Sequence, residues 1–106
     1  MNTETIERWR KGVAAQPTND LARFSLAKAL FDARHWTEAQ SEFQTLLGRK
    51  PDWMVVQILL GKCLLASGDK AAARAAFRRG HELAVAQHHE GPQAELEELL
   101  ADLDRA

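Results

Sequence analysis

Three groups of side chains in this sequence have the chemistry for a specific task, and spacing decides what each can do. His81, His88 and His89 lie close together, with His35 far away. His81 and His88 are seven apart and fit one helix face, but no His-x3-His pair and no cysteine cluster accompanies them, so a structural or solvated role is expected rather than a metal site. Cys63 is the single cysteine, which excludes an internal disulfide and a thiol pair. It falls on an apolar stretch between Gly61 and Leu64, where a thiol is buried and inert rather than nucleophilic. Arg74, Arg78 and Arg79 form a basic cluster without interleaved aromatic residues, which reads as a solvated outer face and not as a nucleic-acid interface. No Ser/His/Asp arrangement and no phosphate-binding glycine loop is visible. The expectation is a protein that is not an enzyme and holds no cofactor and no metal.

Bulk properties agree with a binding role. The chain has 106 residues, 45% of them hydrophobic and 27% charged, with a formal net charge of -1. One domain with a continuous core fits that length. A charge near zero projects no strong field toward nucleic acid or membrane. Its distribution is uneven: residues 1–89 carry 13 basic and 9 acidic side chains, a net +4, whereas residues 90–106 carry 1 and 6, a net −5. There is no apolar leader segment, and no run approaches the roughly 20 apolar residues of a membrane span. A cytoplasmic chain without a membrane partner is expected.

The elements that must position any site follow from hydrophobic periodicity. A helix from about residue 2 or 3 to Gln16 presents Ile6, Trp9 and Val13 on one face. After a turn at Pro17, a second helix from Asp20 to about Ala33 carries Leu21, Phe24, Leu26, Ala27, Leu30 and Phe31, too many for one face, so it should be sandwiched. A third, capped by Thr37, runs to about Leu47 or Gly48. Asp52 to Ala66 forms a fourth, and Gly68 is free to turn the chain with positive φ. The fifth, from Lys70, meets no proline and overruns to about His89, with Glu90-Gly91-Pro92 as linker to a last acidic helix from Gln93 to Asp104. The reading is six helices and no strand.

These helices repeat. Thirty-four residues separate Pro17 from Pro51, and the same step relates Leu26-Ala27 to Leu60-Gly61, Leu30 to Leu64, Ala39 to Ala73 and Phe43 to Phe77. A fixed period of this length marks a stacked helical-repeat array. The joint spacing resembles the tetratricopeptide repeat (TPR), whose unit reads W-x2-L-G-x2-Y, then A-x3-F, then P. The tryptophan slot holds Arg23 and Gln57 here, and the turn glycine of the first unit is Arg34. The resemblance covers residues 2–89 and implies an all-α solenoid of about six antiparallel helices. One domain over 1–106 would comprise a half repeat at 2–17, full repeats at 20–53 and 54–89, and an acidic capping helix at 92–106.

In such arrays the first helix of each pair lines a concave groove. The resemblance places Leu21, Phe24, Lys28, Phe31 and Asp32 there in one unit, and Val55, Ile58, Lys62, Leu65 and Ala66 in the next. Two lysines in register on helices on the order of 10 Å apart suit two carboxylates of a bound amphipathic segment, with the apolar residues holding its other face. A chaperone-tail carboxylate clamp, known from one subgroup, is not expected, because its lysine slot holds Phe24 and its asparagine slot Lys28 and Lys62. The expected function is therefore non-catalytic: an adaptor binding a protein or peptide, most simply an acidic amphipathic segment. The alternative is a structural homodimer formed through the groove or the last helix, whose leucines and Glu95, Glu98 and Asp102 complement a lysine-bearing groove.

Overall fold

The computed structural model describes residues 3–105. Six α-helices follow one another: α1 (Thr3–Ala15), α2 (Asp20–Asp32), α3 (Trp36–Arg49), α4 (Met54–Ala66), α5 (Lys70–Ala86) and α6 (Glu90–Arg105), with no strand among the described residues. Each helix packs mainly on its neighbours in sequence, so the molecule is a stack of 41 × 27 × 20 Å. Helices of 13 to 17 residues are marginal alone, and the stacking stabilises them.

Helix α4 is the spine. It buries Met54, Val56, Gln57, Ile58, Leu59, Leu60, Gly61, Cys63 and Leu64, because α3 covers one side and α5 the other. Its buried Gln57 donates to the carbonyl of Ala76 at 3.3 Å, which satisfies the amide without water. Small residues set the approach of the paired helices. Ala27, Ala39, Ala73 and Gly61 are buried beside the fully buried rings of Phe43 and Phe77. At Gly61 the approach is closest: a Cβ there would lie 2.5 and 2.6 Å from two ring carbons of Phe77.

Two kinds of turn join the helices. At Pro17 and Pro51 the chain makes a short loop closed by Asn19 N–H to Gln16 O and Trp53 N–H to Lys50 O. Proline ends the preceding helix there because it has no N–H to continue the ladder. The second kind follows α2, α4 and α5 with one hydrogen-bond pattern. His35, Asp69 and His89 donate to Leu30, Leu64 and Ala84 five residues back, around Arg34, Gly68 and His88 at φ of 63°, 92° and 58°. This is the left-handed close of a helix C-terminus.

Four expectations are corrected, three of them at that turn. Helix α5 stops at Ala86 and not near His89, because His88 takes the left-handed conformation without a glycine. Residues Glu90-Gly91-Pro92 are no linker but the first turn of α6, where proline loses nothing since that N–H has no acceptor inside the helix. Helix α3 starts at Trp36, with His35 in the cap position and no side-chain cap, so Thr37 is not the cap. Likewise α4 starts at Met54 rather than Asp52, with Trp53 in the cap position. Asn19 and Asp69 do cap, accepting from Ala22 and Ala72 N–H at 3.1 Å each.

Candidate binding face

Counting from the first residue of α2, α4 and α6 aligns the three helices. The seventh residues, Leu26, Leu60 and Leu96, are all buried. Helix α6 thus stands as a further first helix, two residues late, beside α4. The surface these helices share holds the residues expected from the sequence, but their environments differ.

Leu21 is 74% exposed and Val55, in the same slot one unit on, is 45% exposed. Phe24, one turn beyond Leu21, is half-buried and stacks on Trp53 with ring centroids 5.4 Å apart and planes 18° from parallel. Phe31 is half-buried between the edges of Trp36 and Phe43, at 5.3 and 6.4 Å. Leu65 is half-buried, and Asp32 and Ala66 are exposed. Ile58 is different. At 7% exposure it lies under α6, meeting Leu96 over Gly80, and so forms floor rather than wall.

Both lysines are already engaged. Lys28 Nζ donates to Asp32 at 2.7 Å, one turn along its own helix, and sits 5.7 Å from the Phe31 ring centroid. Lys62 Nζ donates to Glu95 of α6 at 3.1 Å. The structure thus leaves Leu21 and Val55 exposed, stacks Phe24 on Trp53, buries Ile58 and pairs both lysines within the chain. Trp53 enters instead. The signal for it was local: an indole cannot cap a helix, yet it occupies the slot that Asn19 fills one unit earlier. Beside it opens a cavity of about 390 Å³, lined by Trp53, Met54 and Val55 on one side and Gln87 and His89 on the other. Lys50 and Asp52 complete the rim, with Lys50 Nζ 5.4 Å from the Trp53 ring centroid.

Comparison with known proteins places this geometry. The chain is 39% identical over 103 residues to the TPR repeat-containing protein PA0015 of Pseudomonas aeruginosa, covering 95% of this chain and 96% of that protein. This chain belongs to the TPR repeat proteins. It also matches the solution structure of protein BPP2914 from Bordetella parapertussis with a TM-score of 0.84 at 30% identity, over 99% of this chain and 90% of that one. No family model matches it. As a TPR protein it is, at the level of class, a protein–protein interaction module.

The other chemistry-bearing residues of this TPR chain serve its packing. His81 Nε2 lies 2.9 Å from Glu97, and Arg74 donates to Asp104 at 3.2 Å and to the carbonyl of Leu103 at 3.3 Å, so both tie α6 to α5. The hydrogen bond from His81 holds the Glu97 carboxyl below the usual carboxylate range. Arg79 pairs with Glu82 at 3.5 Å, leaving Arg78 exposed. Cys63 is buried, and burial pushes its thiol up to about 11. Among the described residues no group of three His, Cys, Asp or Glu is placed to hold a metal ion, and no helix is long and apolar enough to cross a membrane.

Proposed function

We propose that this chain is a non-catalytic adaptor of the cytoplasm that binds a peptide or helical segment of a partner across the face made by α2 and α4. The observation that carries this reading is the pair Leu21 and Val55. A single exposed apolar residue is ordinary. The same slot is left apolar and open in two successive units, one turn before Phe24 of the Phe24–Trp53 stack in one and lining the cavity beside that stack in the other, and exposed apolar residues grouped in this way are what partners cover. Leu21, Phe24, Phe31, Val55 and Leu65 are its walls, Ile58 its floor, and Lys28 and Lys62 its polar rim. Fully burying one such aliphatic side chain contributes about 1.5–3 kcal/mol. Two of them supply a substantial share of the roughly 8 kcal/mol of a micromolar complex.

An acidic partner segment would have to displace Asp32 from Lys28 and Glu95 from Lys62 before gaining either cation. Apolar contact, not the lysine pair, is what the face offers first. Self-assembly through the last helix has less to work with, since Leu96 and Leu103 are buried and Leu99 and Leu100 pack against the same core.

Selection of peptides from a displayed library on the immobilised full chain tests the reading. Selected peptides should lose at least about tenfold in affinity to the double variant Leu21→Ser, Val55→Ser, whose helix content and melting temperature stay near wild type. Peptides that bind the double variant equally well would refute the site. A concentration-dependent dimer by light scattering, lost in the same variant, would replace the adaptor with a self-assembling protein.

A further inference from the structure

Charge along the first-helix face changes from one end to the other. The ninth residues of α2, α4 and α6 occupy one slot of that face, and they are Lys28, Lys62 and Glu98. The two lysines are neutralised inside the chain, by Asp32 and Glu95. Glu98 is exposed and has no ion pair or hydrogen bond among the described residues. Four residues further on, Asp102 occupies the slot that Asp32 fills in α2; it is exposed and paired only with Arg105 of its own helix. Glu95, Glu98 and Asp102 lie at i, i+3 and i+7, so they form one stripe about 10 Å long. The contact of Glu95 with Lys62 fixes the side of α6 on which that stripe runs: the side facing α4 and the apolar surface. At the cavity beside Trp53, Lys50 and Asp52 are both on the rim, and neither sign dominates.

We propose that the partner of this face is a basic amphipathic protein segment. Its large apolar side chains cover Leu21 and Val55 and enter the cavity at Trp53, and its lysines or arginines lie along Glu98 and Asp102. This rests on the face being the binding site and inverts the charge that the lysine register alone implies. A basic segment keeps both internal lysine pairs intact and gains an unpaired carboxylate, while an acidic one breaks two pairs and meets repulsion from α6. Complementary charge of this kind governs which partner is accepted more than how tightly it holds.

The test uses three fluorescein-labelled helical peptides and anisotropy titration of the full chain. Two share a leucine and phenylalanine pattern and carry lysine or glutamate at every polar position; the third carries lysines but has serine in place of its apolar anchors. The lysine peptide should bind about tenfold tighter than the glutamate peptide at low salt, with the gap closing in about 0.5 M salt. Glu98→Lys with Asp102→Lys should reverse the order. Equal or tighter binding of the glutamate peptide overturns the proposed sign, while the face itself stands if Leu21→Ser, Val55→Ser weakens that binding. Binding of neither peptide, or binding indifferent to the serine variant, overturns the face as well. If the serine-anchored lysine peptide binds as tightly as its leucine counterpart, the attraction is unspecific and the proposal fails.

Discussion

Replacing Gly61 with alanine should destabilise this protein, although the same change in an open helix interior does the opposite. Alanine is favoured over glycine there by roughly 0.5–1 kcal/mol. At Gly61 the new methyl would lie 2.5 and 2.6 Å from two ring carbons of Phe77, with a third at 3.2 Å. Carbon atoms sit comfortably at about 3.5–4.0 Å, so the ring or the helix must yield by about 1 Å. Phe77 is fully buried and has nowhere to go. Overpacking of this kind costs about 1–3 kcal/mol, which leaves a net loss of up to about 2.5 kcal/mol, centred near 1, after the propensity gain. For a domain of this size that is a fall in melting temperature of several degrees, at about 4–8 °C per kcal/mol. Thermal and urea unfolding followed by circular dichroism would read it. Gly12→Ala is the control: nothing stands within 4 Å of its added Cβ, so it should raise stability. A double-mutant cycle with Phe77→Leu should remove most of the cost of the Gly61 change. A Gly61→Ala chain that melts at or above wild type would refute the packing argument.

Three further outcomes are expected. His88→Gly should raise the melting temperature by a few degrees, because His88 sits at φ 58° and a non-glycine residue in that region costs about 1–2 kcal/mol, less glycine's added chain entropy; a thermal scan decides. Cys63, whose thiol is pushed up to about 11, should leave roughly a thousandth as thiolate at pH 8, so a thiol-specific chromogen should react only on the timescale of unfolding. The Glu97 carboxyl is held below its ordinary value, so its contribution to stability is complete above the usual carboxylate range and is lost as pH falls through the lowered value; Glu97→Gln should flatten that part of an acid titration of stability.

The repeat was legible because proline and small residues are nearly irreplaceable where they stand. Pro17 and Pro51 end helices by lacking an N–H, and Ala27 and Gly61 permit approaches that larger side chains forbid. Where a residue type only tolerates its conformation, the sequence was silent. Val85 in the proline slot signalled a helix without a stop, yet the chain turns three residues later on His88, a left-handed residue that no rule requires to be histidine. Pro92 signalled a break and instead sits in a first turn. The proposed binding face was legible in part. Leu21, Phe24 and Val55 follow from the resemblance to the tetratricopeptide repeat, which assigns the slots of each first helix. The burial of Ile58 and the pairing of Lys62 depend on α6, whose place in the stack follows that unpredicted turn. Trp53, which the sequence places inside the helix expected from Asp52, instead takes the cap position of α4 and stacks on Phe24.

The eighth residues of the first helices are Ala27, Gly61 and Glu97. In the first two units this slot is small and buried, and at Gly61 the ring of Phe77 presses on it. In α6 it carries a carboxylate, exposed and held by His81 and Gln93. Any helix laid on α6 as α3 lies on α2 would have to strip water from that charge at a separation with no room for it. A charge in that slot therefore disfavours laying a further helix of the same kind on α6, and with it the end-to-end stacking of copies through that surface.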